Sequence, residues 1–168
     1  MSISHEQCPL CFPSPADILF DSHNFYMMTS KSMGDALIIP KGHYLTMADI
    51  PEEIIVEFEE MRSLVRRMLN TDFGSCIFYE HTGQGLAWNF VGHGDGHGHA
   101  HLHCACTTNG FLARLPQTYV PTEVESWKQV LDSRRGGEHY FYYEDKNDRK
   151  FVILVTNGAK DLMEDIMK

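Results

Sequence analysis

The run His99-Ala100-His101-Leu102-His103 constrains the fold more than any other part of this 168-residue chain. In a β-strand alternate side chains share a face, so the three histidines point one way while Ala100, Leu102 and Cys104 point the other. The apolar side suits a core, and we expect the imidazole side to remain open. A merely structural strand has little reason to carry three imidazoles, because each buried ring needs a hydrogen-bond partner. The pattern therefore predicts a functional strand at 99–106.

The composition is that of a single globular domain with a modest extension. With 43% hydrophobic and 22% charged residues, the chain does not resemble a disordered protein. A formal net charge of −9 argues against nucleic-acid binding, which needs a basic surface, but leaves small phosphorylated substrates open. No apolar run approaches the roughly 20 residues of a transmembrane helix, and the N-terminus lacks a signal-peptide pattern. We therefore expect a cytoplasmic protein without membrane contact.

The hydrophobic pattern predicts a strand meander followed by one long helix. Short strands at 18–20, 25–28 and 36–39 are separated by polar turns, which suggests antiparallel pairing. Pro51 suits the first position of the helix, and Arg66 and Arg67 are predicted in its last turn, where they complement the helix dipole. Apolar residues at helical spacing predict a buried stripe. The stripe comprises Ile54, Phe58, Met61, Val65 and Met68, with Ile55, Leu64 and Leu69 beside it.

The second half of the chain is predicted to contain further strands and two short helices. A strand at 75–80 precedes the histidine strand, and the segment between them, 82–98, holds six glycines in seventeen residues. Such a segment is either an anion-binding loop or a plain surface loop. Beyond residue 106 we expect an irregular segment at 111–121, a helix at 123–131, a hairpin of 140–143 with 151–155, and a final helix at 159–167.

Other known sites built on His-x-His are excluded by what accompanies them. A metallo-β-lactamase-like site needs an Asp-His shortly after the first two histidines, whereas Leu102-His103-Cys104 follows here. A cupin-like site needs a downstream glutamate, and 104–109 has none. An amidohydrolase barrel needs roughly 250 residues.

The order of these motifs resembles the histidine triad (HIT) superfamily, whose signature is His-x-His-x-His followed by apolar residues. The resemblance covers about residues 8–106. Its segments are Cys8-Pro9-Leu10-Cys11, the Gly-Asp-Ala-Leu-Ile-Ile-Pro-Lys-Gly-His sequence at 34–43, the Pro51 helix and the triad. A subset of such proteins carries Phe-Glu-His-Gly before a glycine-rich loop, which Phe78-Tyr79-Glu80-His81 resembles with an inserted tyrosine.

The resemblance implies an α+β fold with an antiparallel sheet of about five strands, helices packed on it, and often a homodimer. A HIT-like catalytic domain would span 1–110, and a C-terminal helix and hairpin extension, 111–168, would pack on the same domain.

The resemblance also implies chemistry at the α-phosphate of a nucleotide. His101 would attack the phosphorus and form a transient nucleotidyl-histidine, which water or another acceptor resolves. His103 would donate to the phosphate oxygens, and His99 completes the triad. Loop backbone N–H groups would share the phosphate charge. The predicted substrate contacts are Glu80, Thr29, Ser30 and Gly98.

Cys8 and Cys11 have the spacing of half a zinc site. Resemblance to the galactose-1-phosphate uridylyltransferases implies that His43 and His99 supply the other half. Four protein ligands make a closed site, so this zinc would be structural. The alternatives are an all-cysteine site that adds Cys104 and Cys106, and no metal at all.

Three functions follow from these motifs. The first is a hydrolase of dinucleoside polyphosphates or nucleoside phosphoramidates, and the second is a nucleotidyltransferase to an acceptor other than water. The third is a nucleotide- or zinc-binding regulatory module without turnover. The implied partner is a nucleotide or another phosphorylated small molecule.

Overall fold

The computed structural model describes residues 8–30, 35–81, 99–106, 117, 119–133 and 139–155. Within them, eight strands form one antiparallel sheet in the order β1-β2-β3-β5-β4-β7-β8-β6. The strands are β1 Ile18–Asp21, β2 Phe25–Thr29, β3 Ala36–Pro40, β4 Cys76–His81, β5 Leu102–Cys106, β6 Thr122–Val124, β7 His139–Glu144 and β8 Lys150–Val155.

The predicted meander is confirmed, and it places the histidine strand inside the sheet. β1, β2 and β3 pair in sequence, with Phe25 opposite Pro40 and Thr29 opposite Ala36. β5 then lies between β3 and β4, so both of its edges are hydrogen-bonded. The functional segment is therefore held by strands from two distant parts of the sequence.

The sheet is larger than the predicted five strands, because the C-terminal half extends it. β7 pairs with β4, and β8 forms the predicted hairpin with β7. Tyr140 and Tyr142 are buried on one face of β7, and Phe141 and Tyr143 are buried on the other. A strand that is apolar on both faces needs cover on both. On the second face, the ring of Phe141 lies 6.3 Å from that of Tyr79, and the ring of Tyr143 lies 6.4 Å from that of Phe151. The predicted boundary between residues 110 and 111 and the predicted helix at 159–167 lie outside the described residues.

The long helix, α1 Ile55–Phe73, packs across one face of the sheet. Phe58, Met61 and Val65 are buried as predicted, whereas Met68 is 44% exposed, so the prediction for Met68 was wrong. The predicted start was also wrong, since Pro51 precedes a single 3-10 turn at Glu52–Ile54. The helix ends before Gly74, whose φ of 88° is a left-handed conformation that favours glycine.

Arg66 lies well inside α1 rather than in its last turn, and a buried carboxylate explains its position. Glu144 on β7 accepts hydrogen bonds from Arg62 and from Arg66, the latter at 2.7 Å. Tyr142 donates to the other Glu144 oxygen at 2.8 Å. Arg66 also lies over the ring of Phe78, 4.6 Å from its centroid. The buried side of α1 therefore carries two arginines, Arg62 and Arg66, that share a carboxylate on the sheet.

Replacing Glu144 with alanine is expected to destabilise the protein by about 3–5 kcal/mol. The reason is that Arg62 and Arg66 are both buried and would lose the buried carboxylate that they share. Their remaining pairs, with Glu59 and Asp148, are more exposed to solvent. Urea unfolding followed by circular dichroism measures the change. Glu123→Gln, at an exposed ion pair with Arg149, is the control and should leave stability nearly unchanged, because solvent screens such pairs. An equally small change in Glu144→Ala would contradict the prediction.

The segment predicted as a helix at 123–131 divides into two elements. β6 pairs with β8 at the edge of the sheet, and a short helix, α2 Trp127–Ser133, follows it. Trp127 is buried against Phe58 and Tyr142, with ring centroids 4.9 Å and 4.4 Å away. Pairing at the sheet edge therefore overrides the predicted helix at residues 123 and 124. Within the described residues, no helix is long and apolar enough to cross a membrane.

Glu57 ties the first turn of α1 to the turn between β1 and β2. Its carboxylate accepts bonds from the Ser22 hydroxyl at 2.6 Å and from the Asn24 backbone and side chain at 2.7 and 2.6 Å. Burial acts in the opposite direction, but these hydrogen bonds lower the pKa of Glu57.

We expect Glu57→Gln to cost about 1–2 kcal/mol at neutral pH, because hydrogen bonds to a charged acceptor are replaced by weaker ones. A lowered folded-state pKa gives stability that is present above the unfolded pKa and is lost as pH falls through the folded value. The difference between wild type and variant should therefore shrink below pH ~4. Denaturant titrations from pH 3 to 7 measure it, and a pH-independent difference would contradict the assignment.

Candidate active site and metal centre

Four side chains from three separate segments meet near the start of the triad. The ligand atoms of Cys8, Cys11, His43 and His99 all lie within 4.8 Å of one another. A zinc ion bound at about 2.3 Å to sulfur and 2.0–2.1 Å to nitrogen holds its ligands at such mutual distances. The structure thus brings together the four residues that the resemblance implied.

The local backbone explains how the cysteines are presented. The Cys11 N–H donates to the Cys8 carbonyl at 3.1 Å and closes a turn, so both thiols face the same side. The Tyr26 hydroxyl donates to the Leu10 carbonyl at 2.6 Å and fixes this turn to β2. His43 lies three residues after the end of β3, and its Nδ1 lies 3.1 Å from the Cys11 sulfur.

The ring of His99 is turned to this cluster by contacts on both of its nitrogens. Nδ1 lies 3.3 Å from the Cys8 sulfur and 3.4 Å from the Cys11 sulfur. Nε2 lies 2.8 Å from the Pro40 carbonyl, an acceptor, so Nε2 carries the proton of a neutral ring. The lone pair of Nδ1 then points at the thiols, which is the usual arrangement of a metal-binding histidine.

A bound metal would change the protonation of the thiols in this cluster. Burial and the neighbouring Cys8 raise the pKa of Cys11 to about 12, so in the protein alone this thiol keeps its proton. A bound divalent metal reverses that preference because it ligates thiolates. Of the alternative cysteine ligands, Cys104 is packed in the core beneath α1 and Cys106 is exposed on β5.

The other two triad histidines belong to a second cluster that adjoins the first. The ring centroids of His101 and His103 are 4.9 Å apart, and His81 on β4 lies 6.3 Å from His101 and 5.6 Å from His103. The predicted strand start at His99 was wrong, since β5 begins at Leu102. Residues 99–101 precede the strand, and there the Ala100 N–H donates to the Tyr44 carbonyl at 2.7 Å. Ala100, Leu102 and Cys104 are buried in the core, as the alternation predicted.

A backbone carbonyl sets the protonation of His101. Its Nδ1 lies 2.8 Å from the His99 carbonyl oxygen, which only accepts hydrogen bonds. Nδ1 must therefore carry the proton, and in the neutral ring Nε2 has the lone pair. His101 is partly exposed, whereas His99 and His103 are buried. His99 thus has two functions, since its ring joins the cysteines and its carbonyl orients His101.

The expectation of an open imidazole face is wrong for two of the three rings. His103 is only 1% exposed because the ring of Tyr79, its register partner on β4, stacks on it at a centroid distance of 4.5 Å. His81 stacks on it as well, and the thiols contact His99.

His81 is a residue of this cluster that sequence reasoning passed over in favour of its neighbour. Alternation along β4 puts Tyr79 and His81 on the face of His103, and Glu80 on the face that packs on α1. This alternation in the sequence could have shown that His81, and not Glu80, shares a face with the triad histidine.

Glu80 is not brought to the histidines. Its carboxylate accepts the Met47 N–H at 2.7 Å and the Tyr140 hydroxyl at 2.5 Å, and it is buried. These bonds hold the segment that follows His43. Thr29 is exposed at the end of β2, while Ser30 is buried and its N–H donates to the Asp35 carbonyl at 2.7 Å. Gly98 lies outside the described residues. The roles predicted for these residues in substrate binding stay predictions.

The eight-stranded sheet, with α1 packed on one face, places the two histidine clusters next to each other. No protein-family model and no curated protein matches the sequence. Two crystal structures of a yeast Ap4A phosphorylase share the fold. The one in complex with Ap4A matches with a TM-score of 0.53 at 10% identity, over 86% of this chain and 62% of that one. The other matches with a TM-score of 0.51 at 10% identity, over 88% and 64%.

A third similar structure is a hypothetical histidine triad nucleotide-binding protein from Sulfolobus tokodaii. Its TM-score is 0.48 at 16% identity, over 75% of this chain and 87% of that one. The chain spans less than two thirds of the length of the yeast phosphorylase. At 10% identity, the likeness to that protein concerns the fold alone.

Proposed function

We propose that this protein is a nucleotide phosphohydrolase that cleaves at the α-phosphate through a covalent intermediate on His101. The observation that carries the proposal is the 2.8 Å contact of His101 Nδ1 with the His99 carbonyl, because it leaves the Nε2 lone pair as the nucleophile. The adjoining rings of His103 and His81 supply donors for an anionic substrate. Yeast Ap4A phosphorylase, with the same fold, was crystallised with the dinucleotide Ap4A, which supports a nucleotide substrate.

The reaction divides into two displacements at phosphorus. In the first, the Nε2 electron pair of His101 forms a P–N bond, and the bond to the leaving group breaks with its electron pair. A polyphosphate leaves as the anion, and the nitrogen of a phosphoramidate leaves as an amine after taking a proton from solvent. The ring is then cationic, and the His99 carbonyl stabilises it by accepting Nδ1–H. In the second, a water oxygen attacks the phosphorus, the P–N electron pair returns to Nε2, and the water proton passes to solvent. The substrate class is a dinucleoside polyphosphate or a nucleoside phosphoramidate.

We further propose that Cys8, Cys11, His43 and His99 hold a structural zinc ion. Two thiolates and two imidazoles form a closed Cys2His2 site, and zinc would crosslink the N-terminal turn, the segment after β3 and the start of the triad. Such a crosslink fixes the His99 backbone, and with it the carbonyl that orients His101.

One panel assay tests the function and separates it from its alternatives. The protein is incubated with diadenosine polyphosphates and adenosine phosphoramidate, with and without inorganic phosphate, and products are resolved by anion-exchange chromatography. A nucleoside monophosphate formed from water supports the hydrolase. A product formed only with phosphate indicates the transferase, as the phosphorylase activity named for the yeast protein would suggest. Tight nucleotide binding without any product indicates a regulatory module and overturns the proposal.

The expected homodimer is a separate prediction. Size-exclusion chromatography with light scattering tests it against the monomer mass of 19.2 kDa.

A further inference from the structure

Asp35, the residue immediately before β3, lies against the ring of His103. Its Oδ2 atom is 3.4 Å from His103 Nδ1. The same oxygen accepts a hydrogen bond of 2.8 Å from the Tyr79 hydroxyl. One carboxylate oxygen therefore faces both a phenol and an imidazole, whose rings stack within 6° of parallel. We call Asp35, Tyr79 and His103 the Asp35 clamp.

The backbone fixes all three members of the clamp. Tyr79 is the register partner of His103 on one side of β5, and Leu37, two residues after Asp35, is its partner on the other side. The Asp35 carbonyl accepts the Ser30 N–H at 2.7 Å, which joins the end of β2 to the start of β3. His103 is thus held between two neighbouring strands, and its ring has little freedom to rotate.

Burial strengthens the contact between the carboxylate and the ring. The side chains of Asp35 and His103 are 13% and 1% exposed, so water screens their interaction less than at a surface. Burial raises the pKa of Asp35, and the hydrogen bond from Tyr79 opposes that rise. Burial and Asp35 together raise the pKa of Tyr79, so its hydroxyl keeps its proton and remains a donor to the carboxylate.

We propose that Asp35 is the positioning residue for His103, receiving its Nδ1–H so that the opposite Nε2–H edge is directed at the substrate's phosphate oxygens. This inference rests on the proposed function. Asp35 acts through the ring and is not a catalytic residue itself. A carboxylate that accepts Nδ1–H fixes both the orientation and the proton placement of an imidazole. The 3.4 Å contact is longer than a strong N–H···O bond, and such contacts tighten when charge develops at the reacting centre.

The test compares Asp35→Asn, Asp35→Glu and Tyr79→Phe with the exposed control Glu123→Gln. For the nucleotide that the panel identifies, Asp35→Asn should lower kcat about 10- to 100-fold with KM changed by less than about threefold, because the lost interaction matters mainly in the transition state. Asp35→Glu keeps a carboxylate and should retain more activity than Asp35→Asn. Tyr79→Phe keeps the stacked ring and should lose less than Asp35→Asn.

Imidazole ¹⁵N NMR provides a readout that a purely structural role would not change. The His103 signals are assigned by their loss in His103→Gln. We expect Asp35→Asn to move the His103 nitrogen shifts, while Glu123→Gln leaves them in place. Unchanged His103 signals in a folded Asp35→Asn variant overturn the proposal, whatever the activity, and so does an unchanged kcat in an active enzyme. If Asp35→Asn does not fold, the same two readouts on Asp35→Glu decide the matter: its extra methylene displaces the carboxylate oxygen, so wild-type His103 shifts and kcat in that variant would overturn the proposal.

The two proposals fail in different ways. If the wild-type protein turns over none of the nucleotides, the proposed function fails. In that case the dependence of the His103 ¹⁵N shifts on Asp35 still decides whether the clamp positions the ring.

Discussion

Replacing His101 with alanine or asparagine is expected to lower kcat by at least about 10³-fold while the protein stays folded. Its Nε2 is the proposed attacking atom, and neither replacement offers an imidazole lone pair. His101 is partly exposed, and its hydrogen bond is to a backbone carbonyl that water can solvate instead, so the fold should tolerate the change. Product release measured by chromatography gives kcat, and thermal unfolding checks the fold.

The matched control is His139→Asn, which replaces an exposed histidine at the start of β7. It should keep activity within about twofold of wild type, as expected for a surface substitution away from the site. A direct observation complements the kinetics: substrate labelled at the α-phosphate should leave label on His101 after a quench that avoids acid. Near-wild-type turnover in His101→Ala would show that His101 is not the nucleophile.

Removing the proposed zinc ion is expected to have the largest effect on stability. Metal analysis of the purified wild type should give about one zinc per chain, and Cys8→Ala should give almost none, because a closed four-ligand site loses its geometry with one ligand. Such a loss amounts to several kcal/mol, which lowers Tm by more than about 10 °C in a chain of this size. Plasma emission spectroscopy and calorimetry measure the two quantities.

Cys106→Ala is the control for this experiment, since Cys106 is exposed and lies outside the four-residue cluster. It should keep the wild-type zinc content and Tm. Substoichiometric zinc that is unchanged in Cys8→Ala would count against the site. Because His99 belongs to the cluster and also orients His101, zinc loss should lower kcat as well as stability.

Strands and core residues that follow from a short hydrophobic repeat could be predicted well from the sequence. The alternation at 99–106 predicted that Ala100, Leu102 and Cys104 enter the core, and all three do. The same kind of reasoning predicted the meander and the β7–β8 hairpin. The prediction was less successful at the edge of the sheet, where β6 formed in place of an expected helix. Pairing with β8 is a long-range contact, and local sequence propensity does not predict such contacts.

The partners of polar side chains could not be predicted in the same way. Arg66 was assigned to the helix dipole, but it pairs with Glu144, 78 residues away. Glu80 was predicted only as a substrate contact, and nothing in the sequence indicated that its carboxylate binds Met47 and Tyr140. In both cases the partner is fixed by strand register and helix packing, and a one-dimensional pattern specifies neither.

The sequence by itself determined the kinds of chemistry present: three alternating imidazoles, a pair of closely spaced thiols and the apolar periodicity that folds a sheet around them. The resemblance implied how that chemistry is divided, but only the tertiary structure shows the contacts that divide it. It turns His99 toward Cys8 and Cys11, sets His101 against the His99 carbonyl, and places His103 between Tyr79 and Asp35. The physical reason is that local spacing fixes which face a side chain occupies, whereas its partners are fixed by contacts that close only when distant strands pair.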